Sequence, residues 1–328
     1  MTQQRTMMDR MGSHVNRLGL DLTILAPLIA LVVLLVASSL ASEYFLNTRN
    51  ITNVMRQVSY TGIIAIGVTF VIIGGGIDLS VGSMVALVGV LLLYALNAVT
   101  DPVMAIVVGI LVALGSGALF GVFNGLLVTR GKITAFIATL ATMSIFRSVA
   151  LYLTDAGEVV SDNPLFPDLG GGYWLGIPIP VWAFLILAAV AHVLLFYTRF
   201  GRHLCAVGAN TQVARYSGIR VRSVILGSFT IAGACVGLSA IMLTSRLNSI
   251  SPSDAGVLYE LDAIAAVVIG GTALSGGKGS IWGTVIGALI LGIINNMLNL
   301  LGVSPYLQGM VKGSVILIAV LVQYKRQQ

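Results

Sequence analysis

The residues with the most visible chemical potential lie in two glycine-rich breaks. In the second, Gly271-Thr272-Ala273-Leu274-Ser275-Gly276-Gly277-Lys278-Gly279 superficially resembles a phosphate-cradling loop. The required pattern fails, because glycine is absent at its first position and Gly279 replaces the serine or threonine that would meet a magnesium ion. Lys278 reads instead as a basic anchor beside an apolar segment. No His-Glu-x-x-His or Gly-x-Ser-x-Gly motif is present, and both carry hydrolytic chemistry. Cys205 and Cys235 lack metal-ligand spacing. The chain is therefore expected to be no enzyme, to bind no metal and to need no cofactor.

The first break, Gly74-Gly75-Gly76, precedes Asp78-Leu79-Ser80-Val81-Gly82-Ser83. An aspartate at the end of an apolar span is costly unless paired or hydrated. Asp78 can cap the helix that follows, with Ser80 near its first turn. It can equally supply a gate or polar lining, with Ser80, at the end of a pathway. Gly117, Gly121 and Gly125 form two overlapping Gly-x-x-x-Gly spacings that read as helix packing, with Asn124 inside the second, and Asn295 and Asn299 share a helix face at i, i+4. Such asparagines act as glue between membrane helices. Alternatively they form a neutral hydrogen-bonding path for a hydroxyl-rich solute, and Asn124, Asn295 and Asn299 are the candidates. Arg147 and His192 also fall within apolar segments. No chain of Asp, Glu and His runs through them, which disfavours a proton-driven carrier.

The elements that must position these residues are membrane spans. Of 328 residues, 57% are hydrophobic and 9% charged, with mean hydropathy +0.98. Soluble domains are about 25% charged, so a soluble fold is excluded. Apolar stretches at 22–41, 58–76, 80–98, 103–127, 133–153, 180–198, 224–244, 261–275, 281–300 and 306–323 predict an all-α polytopic membrane protein of about ten helices. The transmembrane domain is 22–323, between tails 1–21 and 324–328. The first span is expected to be a true span rather than a signal peptide, since its apolar run exceeds an ordinary signal core.

Placing both termini in the cytoplasm puts thirteen of the eighteen basic residues inside, among them Arg130, Lys132, Arg199, Arg202, Arg215, Arg220, Arg222 and Lys278. Most acidic residues fall outside, as the positive-inside rule requires. That distribution accounts for the net charge of +6 without a nucleic-acid partner. The two breaks also echo one another, through internal duplication or through similar helix interruptions.

The basic loop 199–223 holds a short helical signal. Asn210 is a candidate N-cap, Thr211–Tyr216 follow, and Ser217-Gly218 stop the helix. Two turns are too few to be stable alone. Such a helix makes sense when docked in a partner's groove, with Val213, Tyr216 and Ile219 as apolar contacts.

These segments resemble the permease subunits of bacterial sugar ABC importers. The match is carried by Gly75-Gly76-Ile77-Asp78-Leu79-Ser80-Val81-Gly82-Ser83, Ala135-Phe136-Ile137-Ala138-Thr139-Leu140, Thr198-Arg199-Phe200-Gly201-Arg202, the run from Tyr259 to Thr272, and Gly287–Gly292. The resemblance implies ten spans in a bacterial inner membrane and a second permease subunit, taken as a homodimer partner. It also implies a cytoplasmic ATP-binding subunit and a periplasmic sugar-binding protein. Ala206, Gly208, Asn210, Ala214, Arg215, Ser217 and Gly218 would couple to the ATPase, while Arg49, Arg56 and Arg246 would meet acidic groups on the binding protein. The expected function is import of a ribose-like monosaccharide. The alternative is a secondary carrier or channel for a small neutral solute.

Overall fold

The computed structural model describes residues 22–304, 307–315, 317 and 321. The expected tails 1–21 and 324–328 lie outside the described residues, as do parts of the expected span 306–323, of which 307–315 are helical.

The chain is a helical bundle. Helix α1 (Leu22–Ala41) packs against α12 (Ile281–Leu300). Helix α2 (Thr48–Ile73) runs through the centre, buried on every side from Gly62 to Ile73. Helix α3 (Val81–Asn97) is almost entirely buried, packed against the helices at 102–129, 135–153 and 221–247. Helices α4 (Pro102–Thr129), α5 (Ala135–Leu153) and α7 (Ile179–Tyr197) keep apolar side chains such as Leu111, Leu119, Ile186 and Val190 on the outside. Between α5 and α7 the chain folds over one end of the bundle as strand β1 (Val159–Val160), the single turn α6 (Pro167–Gly171) and the hairpin β2–β3 (Tyr173–Trp174, Ile177–Pro178). Helices α8 (Arg199–Ala209) and α9 (Thr211–Tyr216) cover the other end. Helix α10 (Val221–Leu247) crosses back, strand β4 (Ser249–Ile250) pairs antiparallel with β1, and the short α11 (Tyr259–Ile269) precedes α12.

Each of the first nine apolar segments coincides with a helix. Six described helices (α2, α4, α5, α7, α10 and α12) are long and apolar enough to cross a membrane. Helices α3 and α11, with 17 and 11 residues, are shorter because each begins inside the bundle rather than at its surface.

The caps follow from sequence. Asn47 accepts from Arg49 N at 2.9 Å, Asp101 from Met104 N at 2.7 Å ahead of Pro102, and Ser280 from Gly283 N at 3.2 Å. These side chains satisfy amide groups that a helix start leaves open. The Gly-x-x-x-Gly spacing acts as packing: a Cβ at Gly117 would meet the carbonyl oxygen of Gly233, and one at Gly121 that of Phe229. Helices α4 and α10 therefore touch backbone to backbone. Two buried hydroxyl contacts tie the centre together, Thr69 Oγ1 to Thr284 Oγ1 at 2.8 Å and Ser239 Oγ donating to Tyr60 O at 2.9 Å.

Among the described residues, one end of the bundle carries Arg130, Lys132, Arg199, Arg202, Arg215, Arg220, Arg222 and Lys278. The opposite end carries Glu43, Asp101, Asp155, Glu158, Asp162 and Asp168.

Candidate functional site

Three of the predicted pathway residues form one cluster. Beyond α2 the backbone turns at Gly75, in the left-handed region at φ +83°, and residues 76–80 run on without helical structure to the start of α3. Asp78, Ser80 and Asn124 are all fully buried. Asp78 Oδ1 accepts from Ser80 N at 2.9 Å and from Ser80 Oγ at 2.6 Å, and Asn124 Nδ2 donates to Ser80 Oγ at 2.8 Å. Thr139 Oγ1 donates to Ile77 O at 3.1 Å. Asp78 thus folds its carboxylate back on Ser80, and α4 and α5 grip the same segment.

The second break joins the first. Gly277 N donates to Ile73 O at 2.9 Å. A Cβ at Gly208, on α8, would overlap Ile73 O and approach Gly277 N, and one at Gly276 would lie 3.0 Å from Gly208 O and 3.2 Å from Gly75 N. Three backbones, the end of α2, the loop 272–280 and the end of α8, therefore meet without intervening side chains. Displacement of α8 must displace both breaks.

Helix α9 begins one residue beyond α8. Asn210 Oδ1 accepts from Gln212 N and Val213 N, both at 3.0 Å, and Gly218 closes the turn at φ +80°. Ala214 faces inward, while Val213 and Tyr216 are 59% and 89% exposed. Ile219 packs on the core, leaving Val213 and Tyr216 as the outward apolar pair. A groove of about 970 Å³ flanks the helix, lined by Lys132, Arg215, Arg220 and Arg222 among others. The predicted set Ala206, Gly208, Asn210, Ala214, Arg215, Ser217 and Gly218 is thus contiguous. The sequence reading missed the helix α8 itself, whose buried Gly201, Leu204 and Val207 repeat at three-residue intervals.

The other candidates are dispersed. Asn295 is half-buried near the opposite end of α12, and Asn299 is exposed and accepts from Gln308 Nε2 at 2.8 Å. Neither joins the Asp78 cluster. The residue between them, Asn296, exchanges two hydrogen bonds with Asn50 at 2.7 and 3.0 Å. Arg49 is exposed. Arg56 donates to Gly171 O at 2.6 Å and lies over the Tyr173 ring at 4.6 Å, and the Arg246 guanidinium lies 6.0 Å from the Tyr60 ring centre. A partly buried pair unseen in the sequence, Lys312 Nζ to Asp262 Oδ2 at 2.9 Å, links the helical residues 307–315 to α11. Among the described residues, no three His, Cys, Asp or Glu side chains gather as a metal site.

A third irregular segment, 251–258, enters from the opposite end. Ile250 packs where a Cβ of Gly89 would lie, and Gly256 meets Gly82 carbonyl to Cα. The segment therefore descends along α3 from mid-helix to its first turn. Arg147 of α5 donates to Ala255 O at 2.7 Å and also to Pro252 O.

A helical bundle with membrane-length apolar helices, polarised charge and broken helices meeting inside it defines a membrane-embedded transport subunit. A family model described as "Branched-chain amino acid transport system / permease component" matches residues 50–320, and the chain belongs to that permease family. It is 48% identical over 304 residues to the ribose import permease protein RbsC of Bacillus subtilis, covering 92% of this chain and 93% of that one. The corresponding protein of Haemophilus influenzae is 45% identical over 297 residues, 89% of this chain and 90% of its own. The D-allose transport system permease protein AlsC of Escherichia coli is 41% identical over 289 residues, 88% and 87% of the two chains. No solved structure matches.

Proposed function

We propose that this chain is the membrane-spanning permease subunit of an ATP-driven importer, carrying a ribose-like monosaccharide across the bacterial inner membrane. The family description names branched-chain amino acids, whereas relatives at 41–48% identity over most of their length are named for ribose or allose. The closer likeness favours the sugar. The chain itself does no hydrolysis. ATP is hydrolysed on a separate cytoplasmic subunit, a periplasmic protein delivers the sugar, and two permease chains pair as a homodimer with both termini in the cytoplasm.

The observation that carries the coupling role is the junction at Gly208. Closure of the ATP-binding subunits moves α9 through Val213 and Tyr216, and the basic groove receives acidic side chains of the same partner. Helix α8 passes the movement to both breaks at once, and through residues 76–80 to the start of α3. Binding can shift such an equilibrium only through different affinity for its two states. Sugar selection falls to the binding protein, so the path needs polar groups without tight capture; Asp78, Ser80 and Asn124 serve it by holding the first break, and Asn295 and Asn299 are the candidates for contact with the sugar. Arg49, exposed at this end, meets acidic groups on the delivering protein, with Arg56 and Arg246 shaping the surface beside it.

The test is ribose uptake by proteoliposomes holding the permease and its ATP-binding subunit, with the binding protein added. Uptake should require ATP. Gly218→Val forces a β-branched residue into a left-handed turn, at about 1–2 kcal/mol, and should abolish co-purification of the ATPase while insertion persists. Normal uptake and normal co-purification in that variant would overturn the coupling assignment, and ATP-independent uptake would replace it with a secondary carrier.

A further inference from the structure

We infer that segment 251–258, together with the face of α5 bearing Ser144 and Ser148, forms the wetted wall of the solute's path at mid-membrane, with Arg147 as the positioning residue that holds this wall. The inference rests on the permease reading and assigns the path to a surface outside the Asp78 cluster.

Depth is the first ground. Gly256 touches Gly82, which lies fifteen residues before Asn97 at the far end of α3. At about 1.5 Å per residue this is roughly 22 Å along the helix, well into a hydrocarbon layer of about 30 Å. Irregular backbone at such depth does not face lipid; it is covered by protein or lines water. Yet Ser253, Asp254, Val257 and Leu258 are exposed on this chain.

Composition is the second ground. The neighbouring face of α5 exposes Ser144 and Ser148, with the half-buried Arg147 at its edge and the half-buried Glu260 at the start of α11. Charges within a membrane face an interior or a water-filled cavity. One guanidinium, two carboxylates and three hydroxyls offer both donors and acceptors without a large net charge. That suits a neutral polyhydroxylated solute better than an ion.

Backbone strain is the third. Leu258 sits at φ +64° between Gly256 at φ +70° and α11. A bulky residue held in the left-handed region persists only where its surroundings over-determine it, and such strain concentrates at functional positions. Arg147, reaching across to the carbonyls of Pro252 and Ala255, supplies that determination.

Cysteine accessibility tests the wall. Cys205 and Cys235 are replaced by alanine; burial pushes the Cys205 thiol up, so its removal should disturb little reactivity. Single cysteines are placed at Ser148, Ser253 and, as a control on the apolar outer face of α4, Leu119. The assembled complex is treated with a membrane-impermeant methanethiosulfonate, with and without ATP. Ser148→Cys and Ser253→Cys should react about tenfold faster than Leu119→Cys in at least one nucleotide state, as expected of water-lining rather than lipid-facing positions. Ribose delivered by its binding protein should slow them. Rates equal to the control in both states would overturn the inference and show this face covered by a second chain. Arg147→Gln should change the Ser253→Cys rate and lower uptake with the ATPase still bound, and Arg147→Lys should restore part of both. An unchanged rate in Arg147→Gln overturns the positioning role. A wild-type complex that fails to take up ribose counts against the permease reading, whereas the labelling pattern reads the wall alone.

Discussion

Two irregular segments enter this bundle from opposite ends and stop against the same turn of α3. Residues 74–80 come from the basic end and are held by side chains bonded among themselves, Asp78, Ser80 and Asn124, all fully buried. Residues 251–258 come from the other end and are held by one long arginine from α5, with Ser253 and Asp254 exposed. Both contain an aspartate at membrane depth. In the first, Oδ1 serves Ser80 and the whole residue is buried; in the second, Oδ2 accepts from Ser251 Oγ at 3.1 Å and the residue stays exposed. The difference teaches that an intramembrane carboxylate is not by itself a mark of the path. Whether the residue is sealed in the bundle or open at its surface decides.

The comparison breaks most readily at Asp78. Asp78→Ala leaves Ser80 N and Ser80 Oγ without their acceptor in a dry site, and should cost about 2–4 kcal/mol, read as a lower melting temperature in detergent. Asp78→Asn, which keeps an acceptor, should cost less than half as much. An unchanged melting temperature in Asp78→Ala would mean that residues 74–80 are not held by their own network. Next comes the meeting point. Gly82→Val drives side-chain carbons into Gly256 O and the Glu260 carboxylate, an overpacking worth about 1–3 kcal/mol. It should disturb both segments, lowering stability and abolishing uptake together. Gly208→Ala adds one carbon rather than three, at about 1–2 kcal/mol, and the end of α2 and the loop 272–280 must move with α8 to admit it. Its mark is uncoupling, with ATP still hydrolysed and less ribose moved per ATP. Smallest is Asp254→Asn, which should leave the melting temperature within about 0.5 kcal/mol of the parent while altering uptake several-fold. A stability loss there as large as at Asp78 would erase the distinction between the segments.

Features governed by neighbouring residues were the most legible in sequence. The capped helix at Asn210–Gly218 needs only an asparagine, two turns and a glycine, and all of it is present in the fold. The glycine seam of α4 was read as packing from spacing alone. Features governed by distant partners were not legible. Ser-Pro-Ser-Asp at 251–254 reads as an ordinary surface turn, and only Gly89 and Gly82, some 170 residues earlier in the chain, set its depth. Spacing paired Asn295 with Asn299, but the bond is made by Asn296, one residue and about 100° around the helix, because Asn50 of α2 lies there. Lys312 and Asp262, fifty residues apart, pair at 2.9 Å, a contact that no local spacing announces.

The contact of Gly117 and Gly121 with Gly233 and Phe229 bears on which parts of the protein can alternate. A seam of main chain against main chain contains no rotamers, so it cannot yield by small side-chain rearrangements, and separating it would forfeit the close van der Waals packing on which membrane helices associate. Helices α4 and α10 therefore behave as one stiff beam. Motion between outward- and inward-facing forms must be accommodated elsewhere, in the joints at α8 and in the tethered segment beside α5. The protein is in this sense a fixed frame with hinged inserts, and a crosslink across the α4–α10 seam should leave its working cycle intact.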